Sequence, residues 1–222
     1  MAAIVALVTA SPASAAGSQT VALWNLNEAP GSGVLVDSSG NGHNGTIGAH
    51  LTLNRAVHTF PYHNGALGGT VDLQHLDLIP GAGLAPGTGN YSVTLRLKFT
   101  ATFGNAINYG QSDGHGLVKV QVDDKGGRVT CQFVGSLGSG AVASPNPIND
   151  GQWHVVACTR MATKVQMSVD GVIVASIAHV TGNIAPLLPF SIGGKSKCTA
   201  TGAPHDCDYF DGTIDYVQIQ TF

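Results

Sequence analysis

WNLNEAPGSGVLVDSSGNGHNGT, running from Trp24 to Thr46, decides how the rest of the chain is read. A strand-like start around Trp24 gives way to a loop in which Asp37, Ser38, Ser39, Asn41, His43, Asn44 and Thr46 are spaced by Gly40, Gly42 and Gly45. Glycine permits tight backbone turns, and carboxylate, amide and carbonyl oxygens are the atoms a hard cation takes. The loop is built either to wrap an ion or to close on itself as an Asx-rich turn, because Asp, Ser, Asn and Gly are also ordinary turn residues.

Outward from this loop, strand signals dominate. Val93, Leu95, Leu97 and Phe99 alternate with Thr94, Arg96 and Lys98, the period of a half-buried strand. Residues 117–122 and 128–134 flank Asp123-Asp124-Lys125-Gly126-Gly127, a hairpin signal. The Asp150-Gly151 turn introduces a strand over 153–160. Asp170-Gly171 joins strands over 164–169 and 172–177, and its chemistry suits a type I′ turn. Residues 190–192 and 213–221 complete the set, and no window of helical length carries an apolar stripe. Many short strands with regular turn signals predict an all-β sandwich or jelly roll. Pro80–Gly89 (PGAGLAPGTG) has strand-like flanks and reads as a loop within one domain rather than a linker.

The landmarks form an ordered set: Trp24 with the Asp37–Thr46 loop, DGQWHVVACTR (150–160), MSVDGVIVAS (167–176), FSIGGK (190–195) and YFDGTIDYVQI (209–219). In that order they resemble the laminin-G-like, concanavalin A-like jelly-roll family, two antiparallel sheets packed face to face. The resemblance implies a calcium ion between the early loop and the last strand. Asp37 and Asp215 would be its charged ligands, and Asn41, Asn44 and Thr46 would complete the oxygen shell. It also implies that rim loops do the binding. Here the rim candidates are Lys195, Lys197, His205 and Tyr209, close to a small cysteine loop.

The 222 residues carry 30 glycines and 43% apolar residues, which permits one large domain with many turns and a substantial core. Only 10% are charged and the net charge is −3, which leaves no footprint for nucleic acid. Residues 1–15 (MAAIVALVTASPASA) read as the remnant of a secretory signal, with an apolar core at Ile4–Val8 and a small-residue cleavage pattern at Ala13-Ser14-Ala15. Residues 16–222 then form the mature single domain. The apolar run is far too short to span a bilayer. Cys131, Cys158, Cys198 and Cys207 fit export to an oxidising compartment. Three pairings are possible. Cys131–Cys158 and Cys198–Cys207 are expected, the second closing a short loop. A zinc site is disfavoured by the lack of paired C-x-x-C spacings.

Catalytic constellations are thin. Glycoside hydrolysis generally needs two carboxylates flanking the bond, yet the only glutamate is Glu28, and Asp206, Asp208 and Asp211 read as a solvated loop or a second cation site. Nine histidines invite a His–Tyr β-elimination on an acidic polysaccharide, but with ten Lys and Arg in all, positive charge to neutralise a substrate carboxylate is scarce. Trp24 and Trp153 are expected in the core. Sugar-stacking aromatics must then come from Tyr62, Tyr91, Tyr109 or Tyr209. The sequons at Asn44 and Asn90 are read as unmodified. The reading is a secreted, extracellular, non-catalytic adhesion module for glycan or protein surfaces, with a structural Ca2+. A polysaccharide lyase is the alternative.

Overall fold

The computed structural model describes residues 17–61, 73–111, 115–123, 126–197 and 207–222. The proposed signal remnant, Tyr62, His63, Cys198, His205 and Asp206 lie outside the described residues. In chain order the first strands are β1 (Gln19–Trp24), β2 (Val34–Leu35), β3 (Gly45–Thr46), β4 (Thr52–Leu53), β5 (His58–Phe60) and β6 (Asp77–Ile79). The long central strands follow: β7 (Tyr91–Lys98), β8 (Gly104–Gln111), β9 (Gly116–Val122), β10 (Val129–Gly135) and β11 (Gly138–Ala143). The chain finishes with β12 (His154–Arg160), β13 (Lys164–Val169), β14 (Val172–Ala178), β15 (Phe190–Ile192) and β16 (Gly212–Thr221). A 3-10 turn, Leu73–His75, precedes β6.

These strands make two eight-stranded sheets. The first runs β14-β13-β12-β7-β16-β5-β4, with β1 also lying along β16; the second runs β11-β10-β9-β8-β15-β6-β3-β2. β16 is shared on one side: β5 pairs with its start and β1 with its remainder. Alternation fixes which residues face inward. Val93, Leu95 and Leu97 of β7, Val156 of β12, and Val217 and Ile219 of β16 are buried against Ile107 and Tyr109 of β8, Val118 and Val120 of β9, Phe133 of β10 and Phe190 of β15. Cys131 on β10 and Cys158 on β12 are disulfide-bonded with Cα atoms 5.5 Å apart, which ties one sheet to the other through the core. Cys207 is also disulfide-bonded.

The Asp170-Gly171 turn joins β13 to β14 with positive φ at both residues (51° and 81°), as a type I′ turn requires. Asp170 also reaches across to β12, where its Oδ1 accepts the Val155 N–H at 2.8 Å. The Pro80–Gly89 loop is bound to the sandwich, not extended from it: Leu84 is buried, and Gly87 and Ile184 exchange both backbone hydrogen bonds at 2.9 Å.

β8 (GNAINYGQ) is not visible in the sequence as a strand. It is central in its sheet and seven of its eight residues are buried, so it has no polar face to produce an alternating pattern. Gly104 opens it at φ +133°, where an added Cβ would sit 2.6 Å from the Tyr209 carbonyl oxygen. Only glycine allows that approach.

Candidate functional site

The described structure corrects one expectation directly. Trp24 is fully buried, but Trp153 is not a core residue. It stands half-exposed just before β12, on the outer face of the first sheet. The Arg96 guanidinium lies 4.5 Å from its ring centroid and the Lys98 ammonium 5.2 Å. Arg96 and Lys98 alternate with the inward Leu95 and Leu97, so β7 must project them to this side. Both cations are held over the indole face by its quadrupole.

Arg96 donates from Nη1 to Asp215 Oδ2 at 2.6 Å. Asp215 is the extra residue of a bulge in β16, between Ile214 (opposite Leu97) and Tyr216 (opposite Arg96). The bulge re-aims its carboxylate onto the outer face. Lys98 has no carboxylate partner among the described residues. Tyr216 flanks Arg96, and burial raises its phenol pKa. Further along the sheet the same face turns neutral. Thr94 lies between Gln218 and Ala157, which in turn pairs with Ser168; Thr159 pairs with Gln166. The result is a half-exposed field of hydroxyls and amides running up to a cationic and aromatic end.

The Asp37 loop behaves differently. Asp37 pairs with Trp24 as an isolated bridge, and its carboxylate accepts four hydrogen bonds. Oδ1 takes the Leu23 N–H at 3.0 Å and the Ser39 N–H at 2.9 Å; Oδ2 takes the Ser39 hydroxyl and the His43 N–H, both at 2.9 Å. Burial pushes the Asp37 carboxyl up, but these donors together outweigh it and hold the pKa below the usual range. Asn44 Oδ1 accepts the Asp37 N–H at 2.8 Å, while Asn41 Nδ2 donates to the carbonyls of Thr20 and Val21. Thr46 lies in β3, between Val34 and Leu78. Gly40 and Gly42 supply the positive φ values, 87° and 81°, that let the loop close.

The two carboxylates named for calcium are both engaged by protein donors as they stand. The Asp37 oxygens are saturated by N–H and O–H donors, and the Asp215 carboxylate is turned to Arg96. The loop instead encloses the core tryptophan, whose Nε1 donates to the His43 carbonyl at 2.7 Å. Asp37→Ala is expected to lower stability by about 2 kcal/mol, the scale of losing hydrogen bonds to one charged acceptor. Urea unfolding at neutral pH measures it. The wild-type margin over the variant should vanish in acid as Asp37 protonates, because a lowered carboxylate pKa stabilises only above that pKa.

The histidines scatter by role. His154 bridges Asp170 (2.8 Å) and Asp150 (3.2 Å) at the surface, steadying the β13–β14 turn. Burial opposes its charge, and the two aspartates overcome this and raise its pKa. His58 is buried between Asp77 (Nδ1 to Oδ2, 2.8 Å) and Glu28 (Nε2 to Oε2, 2.9 Å). No sequence motif announces this triad, since its members lie in a loop and two short strands. The expected stacking tyrosines are mostly interior: Tyr91, Tyr109 and Tyr209 are buried.

The laminin G family model, described as the Concanavalin A-like lectin/glucanases superfamily, matches residues 69–221. The chain belongs to this family. As a fold, this laminin G-like chain is similar to mouse laminin alpha1 domains LG4-5, at 19% identity and a TM-score of 0.59, covering 76% of this chain and 44% of that one. It is also similar to the binding domain of Paraclostridial mosquitocidal protein 1, at 11% identity and a TM-score of 0.59, covering 92% of this chain and 48% of that one. The laminin G-like chain thus spans less than half the length of either structure. No curated protein matches it.

The rim residues of this laminin G-like chain are only partly on display. Lys195 pairs with Asp208 at 2.5 Å, and Lys197 is exposed. Tyr209 is 5% exposed and packs with Leu76 and Cys207, so its ring is not presented to a polymer.

Proposed function

We propose that the protein is a secreted, non-catalytic module that binds a glycan across the outer face of the first sheet. An acidic substituent of the glycan meets Lys98 and Arg96. The single observation behind this is the Trp153 platform: two cations stacked on one indole, at the end of a row of hydroxyl and amide side chains. Hydroxyls and amides hydrogen-bond sugar hydroxyls, and an ordered cation recognises a carboxylate or sulfate. Laminin G-like domains bind extracellular ligands, and no helix among the described residues is long and apolar enough to cross a membrane.

The test is an array of neutral, uronate-containing and sulfated glycans, probed with the wild type and with the Arg96→Gln/Lys98→Gln double variant. The double variant should lose at least ten-fold in affinity for acidic glycans while its melting temperature stays near that of the wild type. Equal binding by both proteins would overturn the site. New unsaturated ends after incubation with a bound glycan would favour the lyase alternative. A parallel arm with CaCl2 and with EDTA examines calcium: a rise in melting temperature with CaCl2 that Asp37→Ala abolishes would support an ion at this loop.

A further inference from the structure

His50 and His75 are 25 residues apart in sequence, yet their Nδ1 atoms are 3.4 Å apart and their rings meet edge to face at 4.6 Å. For a hydrogen bond between two nitrogens this is long, since such bonds cluster near about 3 Å. It is the right span for something else. Two imidazole nitrogens on a tetrahedral zinc ion, each about 2.05 Å from the metal, are about 3.3 Å apart. We propose that His50 and His75 form a binding site for a divalent cation of the zinc type, bound through both Nδ1 atoms.

The pair is set by the backbone, not by chance side-chain contact. The His50 N–H donates to the Gln74 carbonyl at 2.9 Å, and the Ala49 N–H to Gln74 Oε1 at 3.3 Å. These bonds fix the segment after β3 against the 3-10 turn that carries His75. Gly48 permits the approach, because a Cβ there would sit 2.4 Å from the Gln74 oxygen. Tyr209 packs on His75, with ring centroids 5.7 Å apart, and helps hold its orientation. The backbone therefore brings the two donors together before a metal arrives, and the edge-to-face rings turn to aim both lone pairs at one ion. Imidazole suits zinc, copper and nickel and is a poor ligand for calcium. His50 is exposed, so solvent water can complete the coordination sphere.

The site is distinct from the sugar platform, which lies on β7, β12 and β16, and its test is independent of glycan binding. The full chain is titrated with ZnCl2 by calorimetry, and with CoCl2 by visible absorption. One ion per chain and a change in the visible cobalt spectrum on binding are expected. His50→Ala and His75→Ala should each weaken zinc uptake at least ten-fold, with millimolar CaCl2 giving no competition. His154→Ala, which alters a histidine between two aspartates elsewhere, should leave uptake unchanged. His50 is at the surface, so its variant should keep the wild-type circular dichroism and melting curve in the absence of metal. Absence of saturable zinc uptake would overturn the proposal, as would uptake insensitive to both substitutions or abolished by His154→Ala.

Discussion

His58→Ala is expected to cost about 3–5 kcal/mol, the range for breaking a buried charge pair by removing one partner. That is a large share of the stability of an ordinary domain. His58 and Asp77 are fully buried, and Glu28 nearly so. β5 belongs to the first sheet and β6 to the second, so the imidazole joins the sheets at the end of the sandwich away from the disulfide. Without it, two carboxylates would face each other across a cavity. Asp77 has little to fall back on, because its Oδ1 is buried and accepts no hydrogen bond among the described residues. Glu28 keeps backbone N–H donors, among them Val36 at 2.9 Å. Urea unfolding measures the loss, with His154→Ala as the control; its exposed aspartate partners should limit that change to under about 1 kcal/mol. An effect of similar size in both variants would contradict the assignment.

The same triad sets a pH dependence. Burial disfavours the charged imidazole, but the hydrogen bonds and charges of Asp77 and Glu28 outweigh it and raise His58 from 6.5 to about 9. A raised histidine pKa stabilises fully below the unfolded value and is lost as pH climbs through the folded one. Glu28 is pushed up by burial and pulled further down by His58 and Val36, ending below 4.5. Its contribution is present above that value and lost in acid. Asp77 opposes it, because burial leaves its pKa raised above 3.8 and His58 offsets this only in part. Stability should be greatest between about pH 4.5 and 6.5 and should decline progressively toward pH 9. In His58→Ala the alkaline decline should be largely absent.

The second large effect belongs to the Cys131–Cys158 bond. It closes a sequence separation of 27 residues, for which loop-closure entropy gives about 3.5 kcal/mol of stabilisation. Cys131→Ala/Cys158→Ala is expected to lose roughly that amount in urea unfolding, slightly more if the vacated core space fails to collapse. The two effects should be nearly additive, because the residues have separate partners. A double variant within about 1 kcal/mol of wild type would show that inner-face packing of the sheets suffices without the bond.

The sequence made parts of this molecule readable and concealed others for physical reasons. β7 announces itself because one face is wet and one dry, and the Asp170-Gly171 turn because few residue pairs accept two positive φ values. β8 is hidden because burial on both faces erases the alternation. Trp153 misleads: a tryptophan beside a strand usually lies inside, but here Arg96 and Lys98 cover an outward ring. Asp37 is a case where residue types leave two partners open, since oxygens that suit calcium also accept N–H groups of the loop and of β1. The Glu28–His58–Asp77 triad and the His50–His75 pair depend on contacts between distant segments, which no local spacing records.

The ladder between β1 and β16 places Gln19 opposite Thr221. Incoming and outgoing polypeptide therefore meet one interstrand step apart, about 4.8 Å. Such geometry makes the sandwich a cassette: a host protein could carry it in a surface turn with almost no gap to bridge.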